Sequence, residues 1–477
     1  MKENKAGLSA WQLTMMALGT VIGGSFFLGS AVAVNAAGPS ILLAFVFGGV
    51  LVYFILFALS EMTVADPDSG SFRAFASRAF GPGAGFVTGW VYWTGMVLAM
   101  SSEATAASIL TARFFPGISV PLLGGSIIAA VTLVNLLGAK RLGSLESGLA
   151  AVKVAAVIFF ILLALALIFG LMPGSAAVGT GALQGETFFA GGLGGLAGSM
   201  LIVMFTYAGF EVIGLAASET GEPRKTVPRA IRRTVLLLVG LYIASMAVLL
   251  PLIPTNLLSA DVSPIVASLS RHGVGWAGFA MNLVLLTAIL STMLAAMFGI
   301  GRMMRSLVEE GMAPRFLLDK TDVPYRGILF SGFSMLLALA LGLLFPSAYL
   351  FLVSSGGFAI LFTYVVIMAT HIRFRRKNGC PPDGKCQLWG FPYTSLFVLI
   401  SLVAAIVSMP FVPGQGSGLL AGCAILAFFI LCYAAVQFLR SRRRGVSGTH
   451  GAKQRGLLRY GSEFSKELSD KNDKSKK

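Results

Sequence analysis

Apolar residues run along this chain in long blocks, and polar residues gather in short clusters between them. Blocks of roughly 18 or more apolar residues are long enough to cross a bilayer as helices. Twelve spans are read, at 14–35, 39–63, 84–112, 120–138, 147–171, 194–217, 232–251, 274–304, 327–345, 347–372, 393–411 and 418–440. In the connection 64–82, Phe72, Phe75, Ala76 and Ala79 recur at helical spacing, which predicts a short helix lying in the membrane interface. The segment 252–273 carries Asn256, Asp261, Ser263 and Pro264 before a short apolar stretch, and is long enough to cap an outer vestibule. The N-terminal residues 1–13 precede the first span, and no small-residue cleavage site follows that span, so it reads as a retained helix. Residues 441–477 are polar and basic and are expected to be a disordered tail beside the anionic inner leaflet.

Two spans depart from uniform apolarity. In 199–230 the run Phe205-Thr206-Tyr207-Ala208-Gly209-Phe210-Glu211 puts a carboxylate and a glycine in mid-span. A carboxylate in an apolar span costs several kcal/mol unless a cavity or a partner receives it. Glycine lets the backbone leave the helical path, which at membrane depth is tolerated only inside protein or along a wet cavity. A broken helix explains this stretch; a glycine packing contact beside an interfacial glutamate explains it equally. The run Gly19-Thr20-Val21-Ile22-Gly23-Gly24-Ser25 near the N-terminus shifts the balance. Interrupted spans at corresponding places in two halves point to a repeat-built transporter.

Basic residues set the orientation, since Lys and Arg concentrate in cytoplasmic loops. With the N-terminus inside, simple alternation puts Arg73, Arg78, Lys140, Arg141, Arg224, Lys225, Arg229, Arg232, Arg233, Arg302, Arg305 and the cluster from Arg373 to Lys385 on the cytoplasmic side. The outer side keeps Arg113 and Arg271. An even number of spans returns the tail to the cytoplasm, so both termini are expected there.

The 477 residues are 56% hydrophobic and only 12% charged, far from the quarter usual in soluble domains. The net charge of +16 lies in short loops, a topological pattern rather than a nucleic-acid footprint. Of four cysteines, Cys423 and Cys432 read as packing residues of a late span. Cys380 and Cys386 fall in a loop placed in the reducing cytoplasm, which disfavours a disulfide; only His371 is near enough in sequence to suggest a metal, and no metal or other cofactor is expected.

Taken together, these motifs resemble the amino acid–polyamine–organocation superfamily, in its bacterial amino-acid permease branch, over about residues 10–440. The resemblance rests on the glycine-rich first span through Ser30; Ala37-Gly38-Pro39-Ser40; Ser60-Glu61-Met62; Pro67 through Phe72; Phe205-x-Tyr207-x-Gly209-x-Glu211 with Glu219-x-x-Glu222-Pro223-Arg224; and Gly301-Arg302 through Ala313-Pro314. It implies an all-α membrane protein of twelve transmembrane helices. Two inverted five-helix repeats, 14–171 and 190–372, would be followed by two additional helices in 393–440, with helices 1 and 6 broken at their centres. It also implies alternating access and a multi-pass protein of the bacterial inner membrane.

A zwitterionic substrate needs an anion site and a cation site close together. A helix broken at Gly23-Gly24-Ser25 offers free N–H groups and the positive dipole end to a carboxylate. Val21 and Ile22 flank that break. A break at Tyr207-Ala208-Gly209 frees carbonyls for an ammonium. The family pattern usually has glycine where this chain has Ser25. Phe205, Thr206, Tyr207 and Phe210 are expected to line the pocket, with Phe205 and Tyr207 resembling the family's aromatic gates; packing or lipid-facing aromatics would read alike. Glu211 resembles the family's sixth-helix glutamate, either coupling a gate to protonation or capping freed backbone. Glu103, inside the third span, meets the substrate amine or a proton, or makes a structural bond between helices. Lys153 lies early in the fifth span. It either snorkels to the inner interface or, as in proton-coupled relatives, takes the place where sodium-coupled relatives hold a cation. There it would meet carbonyls near Thr20 and Val21 with Ser291 and Thr292.

These features favour a secondary transporter importing an amino acid with a proton. An exchanger without proton coupling and a non-transporting sensor are the alternatives. An enzyme is disfavoured: His272, His371 and His450 lie in or near loops, and no nucleophile–base set or metal cluster stands in the spans. No Gly-x-x-x-x-Gly-Lys-Ser/Thr motif supports ATP-driven pumping. Few charged residues fall in the expected pocket, which points to a neutral amino acid.

Overall fold

The first helix begins where a capping box stands: Ser9 accepts the Gln12 N–H, and the Gln12 side chain accepts the Ser9 N–H. The structure, a computed structural model, describes residues 9–66, 70–112, 114–137, 139–172, 176–216, 220, 222–259, 262–319, 321, 323–345, 347–380 and 386–446, with backbone alone for 139–147, 215–216 and 440–446. Every regular element among them is helical. In chain order these are α1 (Ala10–Val21), α2 (Ser30–Ala37), α3 (Ile41–Ala65), α4 (Ser71–Phe80), α5 (Pro82–Ala112), α6 (Val120–Asn135), α7 (Ala139–Ile168), α8 (Gly192–Tyr207), α9 (Val212–Ala216), α10 (Pro223–Leu252), α11 (Pro264–Arg271), α12 (Gly275–Glu309), α13 (Tyr325–Gly342), α14 (Ala348–Asn378), α15 (Tyr393–Val407) and α16 (Gln415–Val446). Contacts divide the chain into residues 1–430, which hold the core, and 431–477, which hold the end of α16.

Eight helical segments among the described residues are long and apolar enough to cross a membrane. The spans read at 120–138 and 393–411 appear as α6 and α15, apolar but only 16 and 15 residues long. The span read at 14–35 is split into α1, a π-helical turn at Ser25–Gly29 and α2. Gly38, at φ +66°, ends α2 and turns the chain into α3.

Three expectations change. The helix expected in 64–82 forms as α4, but it docks on protein rather than lying in the interface. Phe72, Arg73 and Phe75 are buried, and the Arg73 guanidinium donates to both Glu310 oxygens and, at 2.8 Å, to Ser306 Oγ. A buried cation needs such partners, and they pull the helix inward. Cys380 and Cys386 are joined as a disulfide, against the expectation of free thiols. Cys423 is exposed, against the expectation of a packing residue. The basic tail beyond Val446 lies outside the described residues.

The segment after α10 closes over the end of α2. Asn35 Nδ2 donates to the carbonyls of Thr255 and Leu258 at 3.3 and 3.0 Å, and Glu186 accepts the Thr255 N–H and hydroxyl, each at 2.6 Å.

Candidate functional site

Both interrupted spans are broken helices, and the breaks face each other. Helix α1 stops because Ile22 turns extended (φ −76°, ψ 94°). Helix α8 stops at Tyr207, where Ala208 is extended (φ −62°, ψ 150°) and Gly209 takes φ +109°. That angle favours glycine, and a Cβ there would meet the Thr20 carbonyl oxygen at 3.0 Å. Thr20 Oγ1 donates to the Gly209 carbonyl at 3.2 Å, and Thr206 Oγ1 reaches the Ser25 carbonyl at 3.4 Å.

The N–H groups beyond the first break hold a carboxylate supplied by the protein itself. Gly24 N–H donates to Glu103 Oε2 at 2.6 Å and Ser25 N–H to Glu103 Oε1 at 3.0 Å. Glu103 thus takes the anion position that sequence reasoning gave to a substrate carboxylate. The freed carbonyls are also served from within, since the Tyr242 hydroxyl lies 3.4 Å from both the Val21 and the Thr206 oxygens.

Lys153 is 1% exposed, and its ammonium turns inward. It donates to the Gly19 carbonyl at 2.5 Å and to Thr292 Oγ1 at 2.8 Å, while the Thr292 hydroxyl lies 3.0 Å from the Ile22 carbonyl. Among the described residues, the carbonyl it reaches is that of Gly19, next to the expected Thr20 and Val21. Ser291 Oγ is buried with no hydrogen-bond partner among the described residues.

Glu211 is held at the second break. It accepts Gly209 N–H at 3.0 Å, Tyr92 OH from α5 at 3.1 Å and Tyr364 OH from α14 at 3.0 Å. Phe72 packs on the Tyr92 ring and Phe210 stacks on the Tyr364 ring, with centroids 4.8 and 4.9 Å apart. Sequence reasoning missed Tyr92, Tyr242 and Tyr364; each stands near another hydroxyl (Thr94, Ser245 and Thr363), so nothing in the sequence singled it out.

A cavity of about 40 Å³ lies between the breaks. Of the expected residues, Val21, Ser25, Glu103, Phe205, Ala208, Gly209 and Thr292 line it. Ile22, Gly23, Gly24, Thr206, Tyr207, Phe210, Lys153, Glu211 and Ser291 stand outside that lining. Tyr207 turns away, donating to the Phe45 carbonyl at 3.0 Å, and Thr206 bonds back to Ile202 at 2.8 Å. Met96, Met100, Ala295, Ala296 and Ile360 complete an apolar wall.

The amino acid permease family model matches residues 12–446. The chain belongs to that family. It is therefore a multi-pass membrane protein of a transporter family, not one of enzymes. The permease is 33% identical over 449 residues to a gamma-aminobutyric acid permease of Bacillus subtilis (strain 168), covering 93% of this chain and 95% of the relative. It is likewise 33% identical over 438 residues to a gamma-aminobutyric acid permease of Escherichia coli (strain K12), covering 90% and 93%. It is also similar to an aromatic amino acid transport protein of Salmonella typhimurium (strain SL1344), at 33% over 418 residues, covering 87% and 92%. Among the described residues no cluster of three or more His, Cys, Asp or Glu stands ready for a metal ion.

Proposed function

We propose that this permease imports a neutral amino acid with protons, by alternating access, across the inner membrane of a bacterial cell with both termini in the cytoplasm. Twelve spans, in inverted repeats 14–171 and 190–372 with two helices in 393–440, are the arrangement proposed. The observation that carries the reading is the Glu103 carboxylate on the Gly24 and Ser25 N–H groups. A substrate carboxylate needs those same donors. Protonating Glu103 weakens its hold on them, because a neutral acid accepts hydrogen bonds less strongly than an anion. Proton uptake and substrate binding then become one event. Lys153, joining α1 to α12, is the second coupling group, and losing its proton would loosen that junction. Glu211, gripped by Tyr92 and Tyr364, forms the barrier on the far side of the cavity. The apolar walls at Met96, Met100 and Ile360 support a neutral substrate, as do relatives named for gamma-aminobutyric acid and aromatic amino acids.

The test is uptake in proteoliposomes against a panel of amino acids, with and without an inward proton gradient. Wild type should accumulate substrate with the gradient. Glu103→Gln should lose gradient-driven accumulation yet keep exchange of internal for external substrate. Undiminished accumulation by Glu103→Gln would remove Glu103 from the coupling, and wild-type exchange without accumulation would make the permease an exchanger.

A further inference from the structure

A buried polar cluster at the ends of α3 and α14 plays no part in the mechanism above. Glu61 is fully buried. It lies 2.7 Å from His371 Nε2 and accepts from Arg375 Nη1 at 2.7 Å to each oxygen, both groups being on α14. It also accepts the backbone N–H groups of Gln387 and Leu388 at 2.6 and 2.7 Å. Ser60 Oγ donates to Gln387 Oε1 at 2.6 Å, and His371 Nδ1 faces Ser395 Oγ on α15 at 3.3 Å. One buried carboxylate thus depends on donors from a helix and from a loop. The loop amides follow Cys386 directly, and Cys386 is bonded to Cys380, two residues past the last residue of α14. Cys386 is exposed and Cys380 half-buried.

We propose that Cys380 and Cys386 form a thiol–disulfide modification site whose redox state sets how firmly residues 386–388 hold Glu61, and through it the ends of α3 and α14. This rests on the transport reading above, including the cytoplasmic placement of the loop. Helix geometry fixes the His371 and Arg375 donors, whereas the loop amides must be brought to Glu61 by the chain that closes the loop. The disulfide ties Cys386 to Cys380 at the end of α14, so fewer arrangements of residues 386–388 compete with the bonded one. Cytosolic disulfides, where they occur, are mostly transient and redox-sensing. In the reductive direction, the thiolate of a low-molecular-weight thiol attacks Cys386 Sγ. This forms a mixed disulfide and frees the Cys380 thiolate. A second thiol attacks the reagent sulfur, releasing the Cys386 thiolate and the reagent's own disulfide; the protein gains two electrons and two protons. Hydrogen peroxide reverses this, with two thiols and one peroxide giving the disulfide and two waters. The oxidised form holds α3 to α14 more firmly and slows the opening of the inner side; in the reduced form only the His371 and Arg375 bonds are held in place, and the opening is faster.

The experiment compares purified, membrane-reconstituted permease oxidised with peroxide and reduced with dithiothreitol. Hydrogen exchange read by mass spectrometry should be several-fold faster at residues 386–391 in the reduced protein. Amino-acid counterflow should be several-fold faster as well. The Cys380→Ser/Cys386→Ser double variant should behave as the reduced form under both treatments. Equal exchange at 386–391 in both states would overturn the proposal. So would alkylation of these thiols from outside intact cells by a membrane-impermeant maleimide. Wild type that carries no amino acid in either state would count against the transport reading alone, because the hydrogen-exchange contrast still decides the switch.

Discussion

Lys153 shows how little a side chain's depth in a span reveals about its direction. From sequence, the same position served a snorkelling lysine and an inward one. Its 1% exposure and its bond to the Gly19 carbonyl put the ammonium inside. Under the proposed coupling, such a cation, bonded to groups of α1 and α12, does the work of a bound metal cation. Uptake should therefore rise with an inward proton gradient and be indifferent to sodium. Lys153→Ala should abolish gradient-driven accumulation while exchange persists. Sodium-dependent wild-type uptake, or full accumulation by Lys153→Ala, would return Lys153 to a purely structural role. The energy is sufficient, since one charge crossing 100 mV is worth about 2.3 kcal/mol, roughly a fifty-fold gradient. Glu103 was visible in sequence as a carboxylate out of place. Its partners were not, because they lie 79 and 78 positions away and follow only from how α5 packs on the start of the π turn.

At the scale of elements, the two helix breaks were legible because their causes are local. Gly23-Gly24 and Ala208-Gly209 interrupt apolar runs, and a small residue in such a run tells of backbone that turns. Gly209 tests this directly. Gly209→Ala must hold a side chain at φ +109° and 3.0 Å from the Thr20 carbonyl oxygen. It should cost about 1–3 kcal/mol of stability, seen as a lower thermal unfolding midpoint, and should impair transport more than Gly240→Ala, where a Cβ meets open space. Equal behaviour of the two variants would deny the break its importance. Helix α4 was legible as a helix but not in its setting. Its amphipathic spacing suits a membrane interface and a protein groove alike, and the Arg73–Glu310 pair that decides between them joins residues far apart in sequence.

For the molecule as a whole, the proposed orientation rests on loop charges and is open to a direct test. In a cysteine-free variant, a cysteine placed at Asn256 should react with an impermeant reagent added to intact cells, and one placed at Gln387 should not. The reverse pattern would invert every assignment of inside and outside. Helix α14 meanwhile presents Tyr364, His371 and Arg375 at spacings of seven and four, which lie along one face of a helix. The first holds Glu211 and the other two hold Glu61. A stiff rod gripping two carboxylates along one edge does not let go of them by degrees. Tilting it enough to free one strains the other, so the second grip fails soon after the first. In the alternating access proposed above, movement of α14 would then have a threshold, and the permease would pass from closed to open in a single step rather than along a slope.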